Sequence, residues 1–220
     1  MIYILYMSFD TDTPDDRYPG LLEVMPAVVR NNIARSKRWQ NRQAILYGRL
    51  LLTAGLKLFD SSFSCEGLSN MEFSEHGRPY LEGRPDFNIS HSGGCVVCAV
   101  SDTGKVGIDV ERIREIKTAD FYRYMPEACL AANDNPAERL ALFYDCWTMK
   151  ESAVKADGRG ISIGLGSVRL EGGRATVNGS IWFLKDIFVA DGYKCHLASP
   201  LEHPEIRTIA VTSETIGTLL

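Results

Sequence analysis

The predicted elements of this chain follow the same order twice: a strand or extended segment, then helices, then more strands. Few folds are compatible with such a repeated order. The first half predicts a strand at 2–9, two helical stretches within 21–59, and extended segments at 87–90, 95–101 and 105–110. The second half predicts helices at 118–133 and 136–157 and strands at 167–170, 175–178, 181–189, 193–198 and 206–211. We therefore predict an α+β fold of two similar halves, residues 1–104 and 105–220.

Charge and hydropathy exclude two classes of partner. The chain has 220 residues and a formal net charge of −4, so it lacks the positive charge expected of a nucleic-acid-binding protein. Its opening, MIYILYMSFD, has no basic lead and predicts a first strand instead of a signal peptide. No apolar run approaches the roughly 20 residues that span a bilayer. We expect a cytoplasmic protein without a membrane partner.

The cysteines predict no shared chemistry. Only Cys95 and Cys98 lie close together, in the segment GCVVCAVS, whose β-branched residues predict a strand. Residues three apart on a strand point to opposite faces, so these two thiols cannot hold one metal ion. They also lack the strand-to-helix setting of a redox pair. We predict buried, unreactive thiols.

A carboxylate interrupts the apolar face of the helix predicted at 136–157. The apolar residues of this face recur at spacings of three and four, at Leu140, Phe143, Tyr144, Trp147 and Val154. Glu151 falls in the middle of the same stripe. Because an unpaired charge on a buried face is very costly, some partner must compensate the charge of Glu151.

Two further carboxylates, Asp109 and Glu111 in the segment KVGIDVER, lie two residues apart on a predicted strand and so share one face. Gly107 would let a ligand or another backbone approach closely. Taken alone, the pair indicates a solvated strand edge. Joined to Glu151, it indicates an oxygen site suited to Mg²⁺, whose remaining ligands would be water and a diphosphate.

Lys150 and Lys155 flank Glu151 on the predicted helix. Lys155 lies one turn past Glu151, which is the spacing of an ion pair on a helix surface. Beside a metal–diphosphate group, the two lysines would instead neutralise phosphoryl oxygens. Both interpretations fit the sequence.

The segment FNISHSGG, residues 87–94, predicts a strand that ends in a polar turn with backbone donors suited to a phosphate. His91 is either a phosphate-binding or a purely structural histidine. Adjacent strand residues point to opposite faces, so His91 is badly placed to act as a base for Ser90. A hydrolase triad is therefore not expected.

Residues 27–59 contain seven basic side chains and no acidic one. The pattern places four of them on one side of a single helix: Arg35, Arg38, Arg42 and Arg49. Such a face is either solvated or a binding site for phosphates or for an acidic protein surface.

Three motifs in order, FNISHSGG, GIDVE and WTMKES, resemble those of the 4′-phosphopantetheinyl transferases of the long, surfactin-synthetase-activating type. The resemblance also takes in the N-terminal strand, the arginine-rich helix, EHGRPY and GRGISI. It implies an enzyme that moves the phosphopantetheine arm of coenzyme A onto a serine of an apo acyl or peptidyl carrier protein and releases 3′,5′-ADP. It further implies two pseudo-symmetric halves with the active site between them, and we expect a monomer.

The resemblance also implies site residues. The Mg²⁺ ligands would be Asp109, Glu111 and Glu151. The residues that contact coenzyme A phosphates would be Arg78, Ser90, His91, Lys150 and Lys155. Glu151, or a metal-bound water, would accept the serine proton, and Lys155 would stabilise the departing nucleotide.

One family position differs in this chain. Ala44, four residues before Gly48, stands where the family usually has an arginine that contacts the 3′-phosphate of the nucleotide. Arg42 and Arg38 are the replacements that we assign, with Lys37 as a further candidate. Glu127 matches a recurrent acidic residue of the family.

Two other functions use the same residues. A magnesium-dependent hydrolase of nucleotide diphosphates would need the three carboxylates but no carrier protein. A non-catalytic protein that only docks carrier domains would need neither the carboxylates nor Lys155.

Overall fold

Two β-sheets packed face to face form the centre of the molecule in a computed structural model that describes residues 1–12, 15–117, 121, 125, 135–160 and 164–220. Within these residues lie four α-helices: α1 (Tyr18–Glu23), α2 (Ala27–Ala34), α3 (Trp39–Lys57) and α4 (Pro136–Asp157). None of the helices in these described ranges is long and apolar enough to cross a membrane. The predicted helix at 118–133 lies almost entirely outside the described residues.

Eleven strands occur in the described ranges. They are β1 (Ile2–Ser8), β2 (Glu72–Phe73), β3 (Pro79–Tyr80), β4 (Asp86–Ser92), β5 (Cys95–Ser101), β6 (Gly107–Arg112), β7 (Arg169–Glu171), β8 (Arg174–Val177), β9 (Ser180–Asp186), β10 (Tyr193–Ser199) and β11 (Ile206–Ala210). The mixture of helices and strands confirms the predicted α+β class.

The first sheet has the strand order β11-β1-β5-β4, and the second has the order β6-β10-β9-β8-β7. In the first sheet, β1 pairs antiparallel with β5 and parallel with β11. Strand β11 thus comes from the second half of the chain but completes the sheet of the first half. The first sheet therefore contains strands from both sides of residue 104. The predicted boundary between two halves at that residue stays a prediction.

Three apolar layers hold the sheets and helices together. One lies between α3 and the first sheet, a second lies between the two sheets, and a third lies between α4 and the second sheet. Strand β5 is buried on both faces and supplies two of these layers, with Cys98 toward α3 and Cys95 toward the second sheet. Both cysteines are free, and burial raises the pKa of Cys95 to about 12, which confirms the prediction of buried thiols.

Side chains, not backbone pairing, join the edge strand β4 of the first sheet to the edge strand β6 of the second. The side-chain oxygens of Asp86, Asn88, Ser90 and Ser92 accept the backbone N–H groups of Val106, Ile108, Val110 and Arg112 at 2.8, 2.9, 3.3 and 3.2 Å. We call this set the side-chain ladder. Each bond joins residues 20 positions apart, so the two strands run parallel. Alternate residues of a strand share one face, which is why every second residue of β4 takes part.

The prediction of one basic helix carrying four arginines is wrong. Helix α2 ends at Ala34 and α3 begins at Trp39, so Arg35 and Arg38 are the residues that cap the break between them. The guanidinium of Arg42 donates to the backbone carbonyls of Ser36 and Lys37, both at 3.1 Å, and so stabilises the break. Only Arg42 and Arg49 lie on α3 itself.

Gly107 is the point of closest contact between β6 and α4. A Cβ atom at this position would lie 2.0 Å from the carbonyl oxygen of Ser152 and 2.4 Å from the backbone nitrogen of Ala156. Both neighbours are helix backbone and cannot move aside cheaply. The expectation that Gly107 allows close approach of another backbone is therefore confirmed.

Gly107→Ala should lower the free energy of unfolding by roughly 2 to 3 kcal/mol, because overpacking against a rigid backbone costs about this much. Urea unfolding followed by circular dichroism measures the change. Gly164→Ala is the matched control, since no atom lies within 4 Å of the added methyl group. Equal stability of the two variants would contradict the close packing of β6 on α4.

Candidate active site

Helix α4 carries three side chains to the place where β4 and β6 meet. The side chain of Asn135 caps its start by accepting the backbone N–H of Ala137 at 3.0 Å, and Gly158 ends it in the left-handed conformation. Trp147, Glu151 and Lys155 lie four residues apart and therefore share one face of the helix.

These helix residues line a cleft of about 330 Å³ together with Ile89, Ser90 and His91 of β4 and Asp109 and Glu111 of β6. We call it the carboxylate cleft. The structure thus brings Asp109, Glu111 and Glu151 to the walls of one cleft, although Glu151 is distant from the other two in the sequence. Ser90, His91 and Lys155, which the sequence analysis also selected, line the same walls.

Asp109 is 4% exposed and lies at the centre of a polar network. Its Oδ1 accepts hydrogen bonds from Lys155 Nζ at 2.6 Å and from Ser90 Oγ at 3.0 Å. Lys155 Nζ also donates to Ser90 Oγ at 3.0 Å and to the carbonyl of Ile108 at 3.2 Å. Lys155 therefore pairs with Asp109 across the cleft and not, as one interpretation had it, on the helix surface with Glu151.

The other oxygen of Asp109, Oδ2, is buried and has no hydrogen-bond partner among the described residues. A buried carboxylate oxygen without a donor is costly, because it has lost its water and gained nothing in return. This orphaned oxygen indicates that a cation or a donor from a ligand completes the site.

The surroundings of the two glutamates in the cleft disfavour the ionised forms of their side chains. Burial raises the pKa of Glu151, the negative charge of Asp109 raises it further, and the charge of Lys155 only partly opposes this. Burial and Asp109 likewise raise the pKa of Glu111, against a hydrogen bond from Ser92 Oγ to Glu111 Oε2 at 2.5 Å. The raised pKa values of these two glutamates indicate that the cleft would gain from added positive charge.

The three carboxylates do not form a closed metal cage by themselves. Among the described residues, no three His, Cys, Asp or Glu side chains are placed to hold one metal together. Mg²⁺ does not require such a cage, because it usually binds one or two carboxylates and completes its shell with water and phosphate oxygens. The donor chemistry of Asp109, Glu111 and Glu151 fits this ion, and metal binding stays a prediction.

Ser90 and His91 point to opposite sides of β4, as predicted. The Ser90 hydroxyl faces Asp109, where it donates one hydrogen bond and accepts from Lys155 and from the backbone of Val110. His91 is exposed at the rim of the cleft, and desolvation by the surrounding protein together with the charge of Lys155 lowers its pKa. No Ser–His hydrogen bond of a nucleophilic pair forms between them.

Lys150 and Arg78 are both buried, Arg78 also lines a larger cavity beside the cleft, and their expected contacts with coenzyme A phosphates stay predictions. Lys150 is 0% exposed and lines none of the cavities described here, and its ammonium group donates to the carbonyl of Leu165 at 3.3 Å. Arg78 is 8% exposed, and its guanidinium forms an ion pair with Asp86 at 2.6 Å. It also donates to the carbonyls of Phe87, Val106 and Lys155, so it joins β4, β6 and α4.

Arg38 and Arg42 lie outside the carboxylate cleft. Arg38 is an exposed residue at the start of α3. Arg42 lines a separate cavity with Asp15, Asp16 and Tyr18. The expected contact of either arginine with a nucleotide phosphate stays a prediction. Glu127 lies outside the described residues.

A larger cavity of about 700 Å³ adjoins the cleft, with which it shares Trp147, Glu151 and Lys155. We call it the apolar cavity, since Phe121, Trp147, Val154 and Leu165 contribute to its walls. The sequence analysis assigned Trp147 only to the apolar stripe of the helix. In the sequence, Trp147 lies one helical turn before Glu151, and this spacing indicates that its side chain reaches the same cleft.

Comparisons with known proteins agree with this geometry. The profile of the 4′-phosphopantetheinyl transferase superfamily matches residues 105–200, which include Asp109, Glu111, Glu151 and Lys155. The chain is 33% identical to a 4′-phosphopantetheinyl transferase of Bacillus subtilis over 77% of this chain and 76% of the relative. It is 36% identical to the 4′-phosphopantetheinyl transferase Sfp of Bacillus subtilis (strain 168) over 62% of this chain and 66% of the relative. It is 30% identical to the 4′-phosphopantetheinyl transferase ffp of Bacillus subtilis, over 88% of this chain and 89% of the relative. From the cleft and these matches together, the chain belongs to the 4′-phosphopantetheinyl transferase superfamily.

Proposed function

We propose that this transferase moves the phosphopantetheine arm of coenzyme A onto a serine hydroxyl of an apo acyl or peptidyl carrier protein, with Mg²⁺ as cofactor and 3′,5′-ADP as the product released. The observation that carries the proposal is the orphaned Oδ2 of Asp109, buried beside Lys155 in a cleft of three carboxylates. We also propose that the protein acts as a monomer in the cytoplasm.

Asp109, Glu111 and Glu151 are the residues that would hold Mg²⁺. When bound, the ion supplies positive charge to the diphosphate and polarises the phosphorus that is attacked. Ser92 orients Glu111 by its short hydrogen bond, and Ser90 orients Asp109 in the same way. The side-chain ladder thus fixes two of the three proposed ligands on β6.

Lys155 provides a fixed positive charge at the reacting group. The three N–H donors of its ammonium go to Asp109, Ser90 and the carbonyl of Ile108, which fix the position of the charge, and one of these hydrogen bonds would be exchanged for one to a phosphoryl oxygen. In the proposed reaction a bond forms between the carrier serine oxygen and the phosphorus that bears the pantetheine arm. The bond between that phosphorus and the bridging oxygen of 3′,5′-ADP breaks, and Lys155 stabilises the charge left on the nucleotide.

The serine proton goes to Glu151 or to a water in the cleft. Glu151 lines the cleft and the apolar cavity alike, so its carboxylate is available as a proton acceptor beside both spaces. The apolar cavity suits the uncharged parts of coenzyme A.

Asp109→Asn should lower the rate of transfer at least about 100-fold, because removing one preorganised electrostatic contact of a transition state costs this much or more. The measurement is the mass of apo acyl and peptidyl carrier proteins after incubation with coenzyme A, Mg²⁺ and enzyme. Each modified carrier should gain one phosphopantetheine with the wild-type enzyme.

Asp191→Asn is the control for this test, since Asp191 is exposed and lies outside the cleft. Full activity of Asp109→Asn would refute the assigned role of Asp109. Release of 3′,5′-ADP from coenzyme A without any carrier would favour the hydrolase. Metal-independent carrier binding without transfer would favour the docking protein.

A second prediction concerns stability, because placing three carboxylates close together costs folding free energy. Because the pKa of Glu151 is raised in the folded protein, folding favours its protonated form, and the ionised side chain destabilises the fold at pH values above that pKa. Glu151→Gln should therefore raise the free energy of unfolding near neutral pH in the absence of divalent cations. This gain should shrink as the pH falls toward the normal pKa of glutamate, about 4.3.

Urea unfolding in the presence of a chelator measures the effect of the substitution on stability, and the same experiment with Mg²⁺ measures the stabilisation by the ion. Mg²⁺ should stabilise the wild-type protein and stabilise Glu151→Gln much less, because ligand binding to the folded state alone raises its stability. Glu214→Gln, at an exposed position, is the control. A Glu151→Gln variant that is less stable than the wild type without metal would contradict the electrostatic account of the cleft.

A further inference from the structure

Strand β10 sets a basic side chain beside each of two carboxylates of the site. In its antiparallel pairing with β6, His196 stands opposite Asp109. Lys194 stands opposite Glu111 in the same pairing. Cys195, between the two basic residues, faces the apolar layer between the sheets, so their side chains lie on the other face, toward α4. Residues directly opposite in an antiparallel pair are close enough for a lysine and a glutamate to form an ion pair.

Both basic side chains are bound by residues of α4. Lys194 Nζ forms an ion pair with Asp145 Oδ1 at 2.9 Å. His196 Nδ1 shares a hydrogen bond with Thr148 Oγ1 at 2.8 Å. The hydrogen bond with Asp145 raises the pKa of Lys194, burial lowers it, and the charges of Asp145 and Asp186 raise it again. The charge of Lys194 is thus stabilised chiefly by Asp145.

The two carboxylates of β6 are left for another partner. Glu111 Oε2 accepts a hydrogen bond from Ser92 of β4, which lies on the other flank of β6 from β10. Oδ2 of Asp109 has no hydrogen-bond partner among the described residues, although His196 is its neighbour on β10. A basic group already paired with these carboxylates would have to be displaced before Mg²⁺ could bind them. Helix α4 removes this competition, since it binds the nearby basic groups itself.

We propose that Asp145 is a positioning residue that holds Lys194 away from Glu111 and so keeps this carboxylate available to Mg²⁺. The inference rests on the proposed metal site of the transferase. Without the negative charge of Asp145, the ammonium of Lys194 would turn to Glu111, which is directly opposite on β6 and partly buried. Asp186 would compete poorly for Lys194, because it is exposed and its carboxylate is solvated by water.

Substitutions of this ion pair leave the walls of the carboxylate cleft unchanged, because neither Asp145 nor Lys194 lines the cleft. The side chains of Asp145 and Lys194 are 26% and 28% exposed, so breaking the pair costs little stability. Asp145→Asn, Lys194→Met and the double variant should therefore all remain folded. Their metal affinities can be compared directly with that of the wild type.

Mn²⁺ is the probe for the test, because the oxygen ligands that suit Mg²⁺ also suit Mn²⁺. The electron paramagnetic resonance signal of free Mn²⁺ falls on binding, so a titration of the enzyme without coenzyme A or carrier gives the Kd. We expect Asp145→Asn to raise this Kd about two- to fivefold, which is the cost of displacing a partly exposed ion pair. The double variant Asp145→Asn/Lys194→Met should return to the wild-type Kd, because no lysine remains to be displaced.

Two single variants, Lys194→Met and Asp186→Asn, are the controls for a change of net charge alone. Such a change would make Lys194→Met bind Mn²⁺ more tightly and Asp186→Asn bind it more weakly. We expect both to stay near the wild-type Kd, because neither releases a cation toward Glu111. Either charge effect would overturn the inference, as would an unchanged Kd in Asp145→Asn. A double variant that binds as weakly as Asp145→Asn would overturn it as well.

Transfer kinetics separate this role from a general distortion of the site. At saturating Mg²⁺ the ion displaces Lys194, so the kcat of Asp145→Asn should equal that of the wild type, while the Mg²⁺ concentration for half-maximal rate rises. A lowered kcat at saturating Mg²⁺ would overturn the inference. A wild-type enzyme that binds Mn²⁺ but modifies no carrier would count against the proposed function alone. A wild-type enzyme that binds no Mn²⁺ would overturn the proposed metal site and this inference together.

Discussion

The side-chain ladder between β4 and β6 is the contact on which the arrangement of the site depends. Two edge strands of different sheets meet there, and each would expose unpaired backbone groups without the other. Polar side chains of β4 satisfy the backbone N–H groups of β6 and turn two of their own hydroxyls to Asp109 and Glu111. Ser90 and Ser92 therefore help to close the interface of the sheets and also orient the two carboxylates.

Local periodicity explains why much of the site could be predicted from the sequence. A period of two placed Asp109 and Glu111 on one face of a strand, and a helical period placed Glu151 and Lys155 on one face of a helix. The same reasoning placed Cys95 and Cys98 on opposite faces of β5. The alternating polar residues of β4 were also visible in the sequence, but nothing local indicates that they would bind another strand.

Tertiary contacts decided the features that the sequence analysis missed. Lys150 has the same charge as Lys155 and lies five residues earlier, yet packing turns it into the interior. The break between α2 and α3 depends on the reach of Arg42 to carbonyls outside its own helix. Arg49 belongs to the same basic run as Arg42, yet Arg42 lines a cavity with Asp15 and Tyr18, and Arg49 lines another with residues of β4.

The parallel pairing of β1 with β11 has a consequence for biosynthesis. The ribosome makes β1 well before its partner at residues 206–210, which emerges only after the whole second sheet has been translated. Until then, the edge of β1 that pairs with β11 has no main-chain hydrogen-bond partners. An exposed strand edge in a nascent chain is prone to mispairing and aggregation. The topology thus postpones completion of the first sheet until the strands of the second sheet have been translated.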